Sequence, residues 1–134
     1  MPRVGTETMN VLIVESAAEL GALWAAALAR QGIEAVVVVA DEDAAIAHLH
    51  AHPADVIVAD LDLPGAGAIA VADYAAYRHP EARVIFVTAS SFFSDGSIFA
   101  HSPNACAFLP ARTAPEDLAA VVEFHGRRKA TGAG

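Results

Sequence analysis

The sequence predicts an α/β domain: a five-stranded parallel sheet flanked by helices. Three observations carry that expectation. Five short apolar runs recur, at Val11–Val14, Val36–Val39, Val56–Ala59, Val84–Val87 and Ala105–Leu109. None of them alternates with polar residues, which is the pattern of strands buried on both faces. Helical periodicity occupies the segments between the runs.

The elements follow in order. After Val11–Val14, residues Leu20, Leu23, Trp24, Ala27 and Leu28 take the i, i+3, i+4 spacing of an amphipathic helix. Ser16 and Glu19 form a capping-box pattern at its start, and Gly32 can end it. Asp41-Glu42-Asp43 places acids at the start of a second helix that carries Ile46 and Leu49. A third helix is expected over Ala68–Tyr77, and a short one over Ser94–Ser102. Thr113-Ala-Pro-Glu116 opens a last helix with Leu118, Val121 and Val122. The result is a βα unit repeated five times, hence a three-layer sandwich with right-handed crossovers. One domain spans 10–128, and the termini at 1–9 and 129–134 are expected to be flexible.

Composition narrows the function classes. The chain has 134 residues, 55% hydrophobic, with a net charge of -8. That length suits one domain with a real core. The negative charge argues against a general nucleic-acid surface. No apolar run reaches the roughly 20 residues that span a bilayer, so no membrane partner is expected. The start, Met1-Pro2-Arg3-Val4-Gly5-Thr6, lacks an apolar leader core, and the single cysteine, Cys106, suits a reducing cytoplasm. Arg127-Arg128-Lys129 reads as a solubilising helix end, and Lys129 is the only lysine in the chain.

Three runs end in polar residues: Glu15 after the first, Asp60 after the third and Thr88 after the fourth. In a parallel sheet these lie at the carboxyl edge, where open α/β sheets bind ligands. Carboxylates brought close repel unless a cation sits between them. Oxygen donors suit a hard ion, and Mg2+ commonly takes one or two carboxylates plus water and phosphate oxygens. The residues therefore point to a Mg2+-assisted phosphoryl site with Asp60 as nucleophile.

With "VLIVES" at 11–16, "VIVADLDLPG" at 56–65, "VIFVTAS" at 84–90 and "AFLPA" at 107–111, the chain resembles the receiver domain of bacterial response regulators. The resemblance covers about residues 10–125. It implies a doubly wound, flavodoxin-like fold with strand order 2-1-3-4-5. It also implies that Asp60 accepts a phosphoryl group from a histidine kinase or phosphotransfer protein. Mg2+ would be held by Glu15, Asp60 and the backbone carbonyl of Asp62. Thr88, followed by Ala89, would contact the phosphoryl group, and Phe108 would be the aromatic that follows the switch. Output would be contact with a downstream protein through the fourth helix, fifth strand and last helix, a surface compatible with a homodimer. The expectation is a stand-alone cytoplasmic signalling domain rather than an enzyme.

The chain departs from the family pattern. The second acid after the first strand is Ser16, which has its own reading as a helix cap. The family's lysine after the fifth strand is absent. Alignment by length puts Ala111 there, and alignment on Pro110 puts Leu109 there. Arg112 is the nearest cation, but a guanidinium is bulkier and differently aimed than an ammonium. The turn at Pro64-Gly65-Ala66-Gly67 is one residue short, and Phe92-Phe93 is an unusual pair beside the expected fourth helix. The alternative is therefore a degenerate pseudo-receiver acting as a phosphorylation-independent interaction module.

Other classes fit less of the chain. Asp60-Leu61-Asp62 matches the Asp-x-Asp of a phosphatase class, but only as a tripeptide without an internal lysine. A flavin binder shares the sheet, but no Gly-rich phosphate loop follows the first strand. His48 and His52 lie one helical turn apart and could clamp an ion, or simply favour a helix C-terminus. Cys106 reads as a small buried hydrophobe.

Overall fold

The computed structural model describes residues 8–65, 67–89 and 103–133, with 127–133 described by backbone alone. The strands are β1 (Val11–Val14), β2 (Val36–Val39), β3 (Val56–Asp60), β4 (Arg83–Thr88) and β5 (Ala105–Pro110). The helices are α1 (Ala18–Arg30), α2 (Glu42–Ala51), α3 (Gly67–Arg78) and α4 (Pro115–Ala133). The expected helix over Ser94–Ser102 and the Phe92-Phe93 pair lie outside the described residues.

All strand pairings are parallel, in the order β2-β1-β3-β4-β5. Strand alternation divides the side chains between two cores. Leu12, Val14, Ile57, Ala59, Val84 and Phe86 face α2 and α3, where they meet Leu49 and Val71. Val11, Ile13, Val58, Ile85 and Val87 face α1 and α4, where they meet Trp24, Leu28 and Leu118. Both faces of the central strands are therefore covered, and this explains their uninterrupted apolar runs. Each large side chain so buried contributes about 1.5–3 kcal/mol relative to exposure.

Three expectations need correction. The run Ala105–Leu109 is only half-buried throughout, because β5 ends the sheet order opposite β2. The run Val36–Val39 is not buried on both faces, because Val37 and Val38 are each 40% exposed. β2 is an edge strand with one neighbour, and the helices centre on the strands inside it. Ser16 is not a helix cap. The N-cap of α1 is Ala17, with no side-chain cap bond. Glu15 supplies the local acceptor instead, its Oε2 receiving the Ala17 N–H at 2.9 Å. Asp41 does cap α2, its Oδ1 accepting from the Ala44 N–H at 2.9 Å. Gly32 ends α1 as expected, with a φ of 87° that favours glycine.

Candidate functional site

The site grows from register. Val14 pairs with Ala59, so the next residues, Glu15 and Asp60, leave adjacent strands side by side. Ala59 pairs with Phe86 and Asp60 with Val87, which brings Thr88 to the same edge one residue later. β1 and β3 diverge to α1 and α3, opening the crevice expected beside such strand ends. The sequence places Glu15, Asp60 and Thr88 at one edge, and the fold brings them to one rim.

Glu15 is 3% exposed, and its Oε1 is buried without a hydrogen-bond donor. Burial pushes its carboxyl up to about 7, and the neighbouring Asp60 and Asp62 carboxylates push the same way, against the Ala17 N–H. Gly21 lets the first turns of α1 approach this corner. A Cβ there would meet Val38 at 2.8 Å and Glu15 Cβ at 3.7 Å.

Asp60 is half-buried at the end of β3. Its Oδ1 accepts the backbone N–H of Asp62 at 2.8 Å, an Asx turn that orients the carboxylate. Leu61 N–H donates to the Val87 carbonyl at 2.8 Å and Leu63 N–H to the Asp60 carbonyl at 3.2 Å. The turn that follows reverses at Gly65, whose φ is 65°.

Sequence reasoning assigned Asp62 only through its backbone carbonyl. Its side chain makes a further contact. The Thr88 hydroxyl lies 3.2 and 3.1 Å from the two Asp62 carboxylate oxygens, and the Ala89 N–H donates to Oδ2 at 2.8 Å. Thr88 is buried, whereas Asp62 is exposed. The signal in the sequence was a second acid two residues beyond a strand-ending acid. What it faces depends on β4, which is remote in the chain.

Among the described residues, no three His, Cys, Asp or Glu side chains form a ready-made metal cluster. The Asp62 carboxylate is directed at β4, so Glu15 and Asp60 remain as the carboxylate pair. Two carboxylates suit Mg2+, which keeps several waters.

The remaining residues fall elsewhere. Phe108 is half-buried on β5 and packs against the α2–α3 core. Leu109 pairs with Val87 and packs on the α1–α4 core, and Pro110 pairs with Thr88. Ala111 N–H then donates to the Thr88 carbonyl at 2.8 Å, so Ala111 is the residue at the rim. Arg112 is exposed on the loop beyond. His48, on α2, and His52, its C-cap, stack their rings at 4.8 Å, away from this rim, and burial and His52 lower the His48 pKa. Cys106 is half-buried, and desolvation raises its thiol to about 11, which leaves it a weak nucleophile. No helix among the described residues is long and apolar enough to cross a membrane.

A parallel sheet of this order, with an acid pair and a threonine at its carboxyl rim, defines the doubly wound flavodoxin-like class. Within it, the response regulator receiver domain family matches residues 11–123. The chain belongs to that family. No curated protein matches it significantly. Among solved structures, a CheY-like receiver domain protein from Methanospirillum hungatei JF-1 superposes with a TM-score of 0.83 at 19% identity, over 94% of this chain and 99% of that one. The response regulator TrrA of Thermotoga maritima, in complex with Mg(2+)-BeF, gives 0.74 at 20% identity, over 87% and 98%. A response regulator from Burkholderia pseudomallei with a phosphorylated aspartic acid, calcium ion and citrate gives 0.71 at 20% identity, over 87% and 71%. These likenesses concern the fold.

Proposed function

We propose that the chain receives a phosphoryl group on Asp60 from a histidine kinase or phosphotransfer protein and signals by contact with a downstream protein. One observation carries the reading: a buried Glu15 carboxyl, its Oε2 held by the Ala17 N–H and its Oε1 without a donor, beside Asp60 at the rim of a receiver sheet. Such a pair is costly unless a cation or a proton occupies it. Asp60 attacks phosphorus, forming an O–P bond. The P–N bond of a phosphohistidine breaks, and its electron pair returns to the imidazole nitrogen. The Asp62 N–H holds Asp60 Oδ1 and so fixes the carboxylate for attack. Thr88 Oγ1–H and Ala89 N–H, which hold the Asp62 carboxylate in this structure, are the donors that phosphoryl oxygens would take over. Glu15, Asp60 and the Asp62 carbonyl are the groups that would hold Mg2+, which when bound supplies charge neutralisation between the acids and the incoming phosphoryl group.

Relatives support this reading: TrrA is seen with Mg(2+)-BeF, and the Burkholderia pseudomallei protein carries a phosphorylated aspartic acid. The test is labelling with phosphorus-32 acetyl phosphate and Mg2+, with Asp60→Asn as control. Label on the parent and none on the variant is expected. Persistent labelling of Asp60→Asn would remove Asp60 as acceptor. A second reading, a phosphorylation-independent module, is favoured by the absence of a lysine at either aligned position, Ala111 at the rim or Leu109 below it. An unlabelled parent at every Mg2+ concentration would support it.

A further inference from the structure

The two donors at the end of β4 already hold an anion. Thr88 Oγ1 and the Ala89 N–H converge on the Asp62 carboxylate at 3.1 and 2.8 Å. The same residue's N–H holds Asp60 Oδ1 at 2.8 Å. Asp62 is thus clamped at both ends: its backbone to the carboxylate of β3, its side chain to the donors of β4. The contact spans 26 residues for Thr88 and 27 for Ala89, so only the sheet brings it about. Hydrogen bonds to an ionised acceptor are roughly twice as strong as neutral ones. Among the described residues no basic side chain forms an ion pair with this carboxylate, and its charge adds to that facing Glu15.

We propose that Asp62 is an internal, autoinhibitory anion that occupies the donor pair of Thr88 and Ala89. An external oxyanion of the phosphate class enters only as the Asp62 side chain leaves. The proposal rests on the reading of Asp60 as acceptor, since it explains what competes with a phosphoryl group there. Two physical terms act together. The internal carboxylate uses the donors that an external anion needs. Its charge also repels that anion at short range, in a rim already holding Glu15 and Asp60. Asp62 is exposed, so a water-filled position outside the rim is open to it after displacement.

The consequence is a threshold built into the chain. The donors are held inward by a protein carboxylate before any phosphoryl group arrives, and the barrier to arrival is raised by the same contact. The Asp62 side chain is therefore a positioning and gating group, separate from the role of its carbonyl.

The test uses inorganic phosphate with Mg2+, followed through the Ala89 amide resonance in the full chain and in Asp62→Asn and Asp62→Ala. The first variant keeps the size and the acceptor but removes the charge; the second removes both. In the absence of phosphate, the Ala89 amide is expected to move upfield in Asp62→Ala. Phosphate is expected to bind both variants roughly tenfold more tightly than the parent, from loss of one charge-assisted competitor. Equal phosphate affinity in all three chains, or an Ala89 amide unmoved by Asp62→Ala, overturns the proposal. Because Asp62→Asn preserves volume, a folding defect in Asp62→Ala leaves the affinity comparison intact. Acetyl phosphate labelling forms a separate arm. Tighter phosphate binding without label on any chain sinks the acceptor reading alone and leaves the gating contact standing.

Discussion

Glu15 and Asp60 leave β1 and β3 one step beyond a register pair, Val14 and Ala59, and this places two acids together at the sheet rim. The first is buried with one oxygen lacking a donor; the second is oriented by a backbone N–H. From that relationship a stability that depends on pH is expected, with Mg2+ opposing the loss.

Glu15 holds its proton to about pH 7 in the folded chain, against 4.5 for an ordinary glutamate. Below 4.5 both states are protonated, and the Glu15 contribution is fully present. Between 4.5 and 7 the unfolded chain releases a proton that the folded chain retains, so stability falls as pH rises. The loss amounts to roughly 1–3 kcal/mol without metal. Urea unfolding in EDTA across this range checks it. Glu15→Gln is expected to flatten the slope, and Mg2+ is expected to restore stability to the parent near pH 7.5 but not to the variant. Identical pH profiles for parent and variant would show that Glu15 titrates normally.

The two ends of the first helices separate a sequence expectation from the structure. Asp41→Ala removes the cap of α2 and is expected to cost about 1 kcal/mol. Ser16→Ala is expected to lie within about 0.5 kcal/mol of the parent, because Ser16 caps nothing. Thermal or urea unfolding of both variants gives the comparison; a loss at Ser16 equal to that at Asp41 would restore the capping-box reading.

The ladder sets apart the two positions, Ala111 and Leu109, that the sequence offers for the missing amine. Ala111 follows the Thr88–Pro110 pair at the rim, whereas Leu109 sits one pair deeper against Val87. Ala111→Lys is expected to raise the rate of labelling by acetyl phosphate about tenfold or more, in line with the removal of one unfavourable charge interaction. Leu109→Lys is expected instead to cost on the order of 1–2 kcal/mol of stability without faster labelling. Faster labelling from Leu109→Lys alone would shift the alignment.

Phe86 is fully buried at the centre of β4, between Ala59 and Phe108 in the ladder. Phe86→Ala is expected to cost about 3–5 kcal/mol, a large part of a small domain's stability. Denaturant unfolding measures it directly. A loss below about 1 kcal/mol would mean that the α2–α3 core closes around the gap.

Much of this protein is legible in one dimension. Runs such as Val56–Ala59 and Val84–Val87 announce buried strands because a parallel sheet covered on both faces excludes polar side chains from either. Gly32 and Asp41 mark helix ends because backbone φ and unpaired N–H groups are local matters. The acids and the threonine of the site are visible as polar residues ending apolar runs. The pattern misled at the edges, at β2, whose four valines look like those of a central strand, and at β5, which is only half-buried. Edge or centre is a property of neighbours, not of the strand itself. It misled again at Ser16, where the Glu15 side chain reaches the Ala17 N–H first.

The sequence by itself determined which chemistry is present: Glu15, Asp60, Asp62 and Thr88, and a rim without lysine. Tertiary structure alone decided what each group faces. Asp62 belongs to the loop after β3, yet its carboxylate answers to β4, because parallel strands bring chain positions 26 residues apart to one edge. Hydrogen bonds and charge act through space at a few ångströms, and that proximity is created only when the sheet assembles.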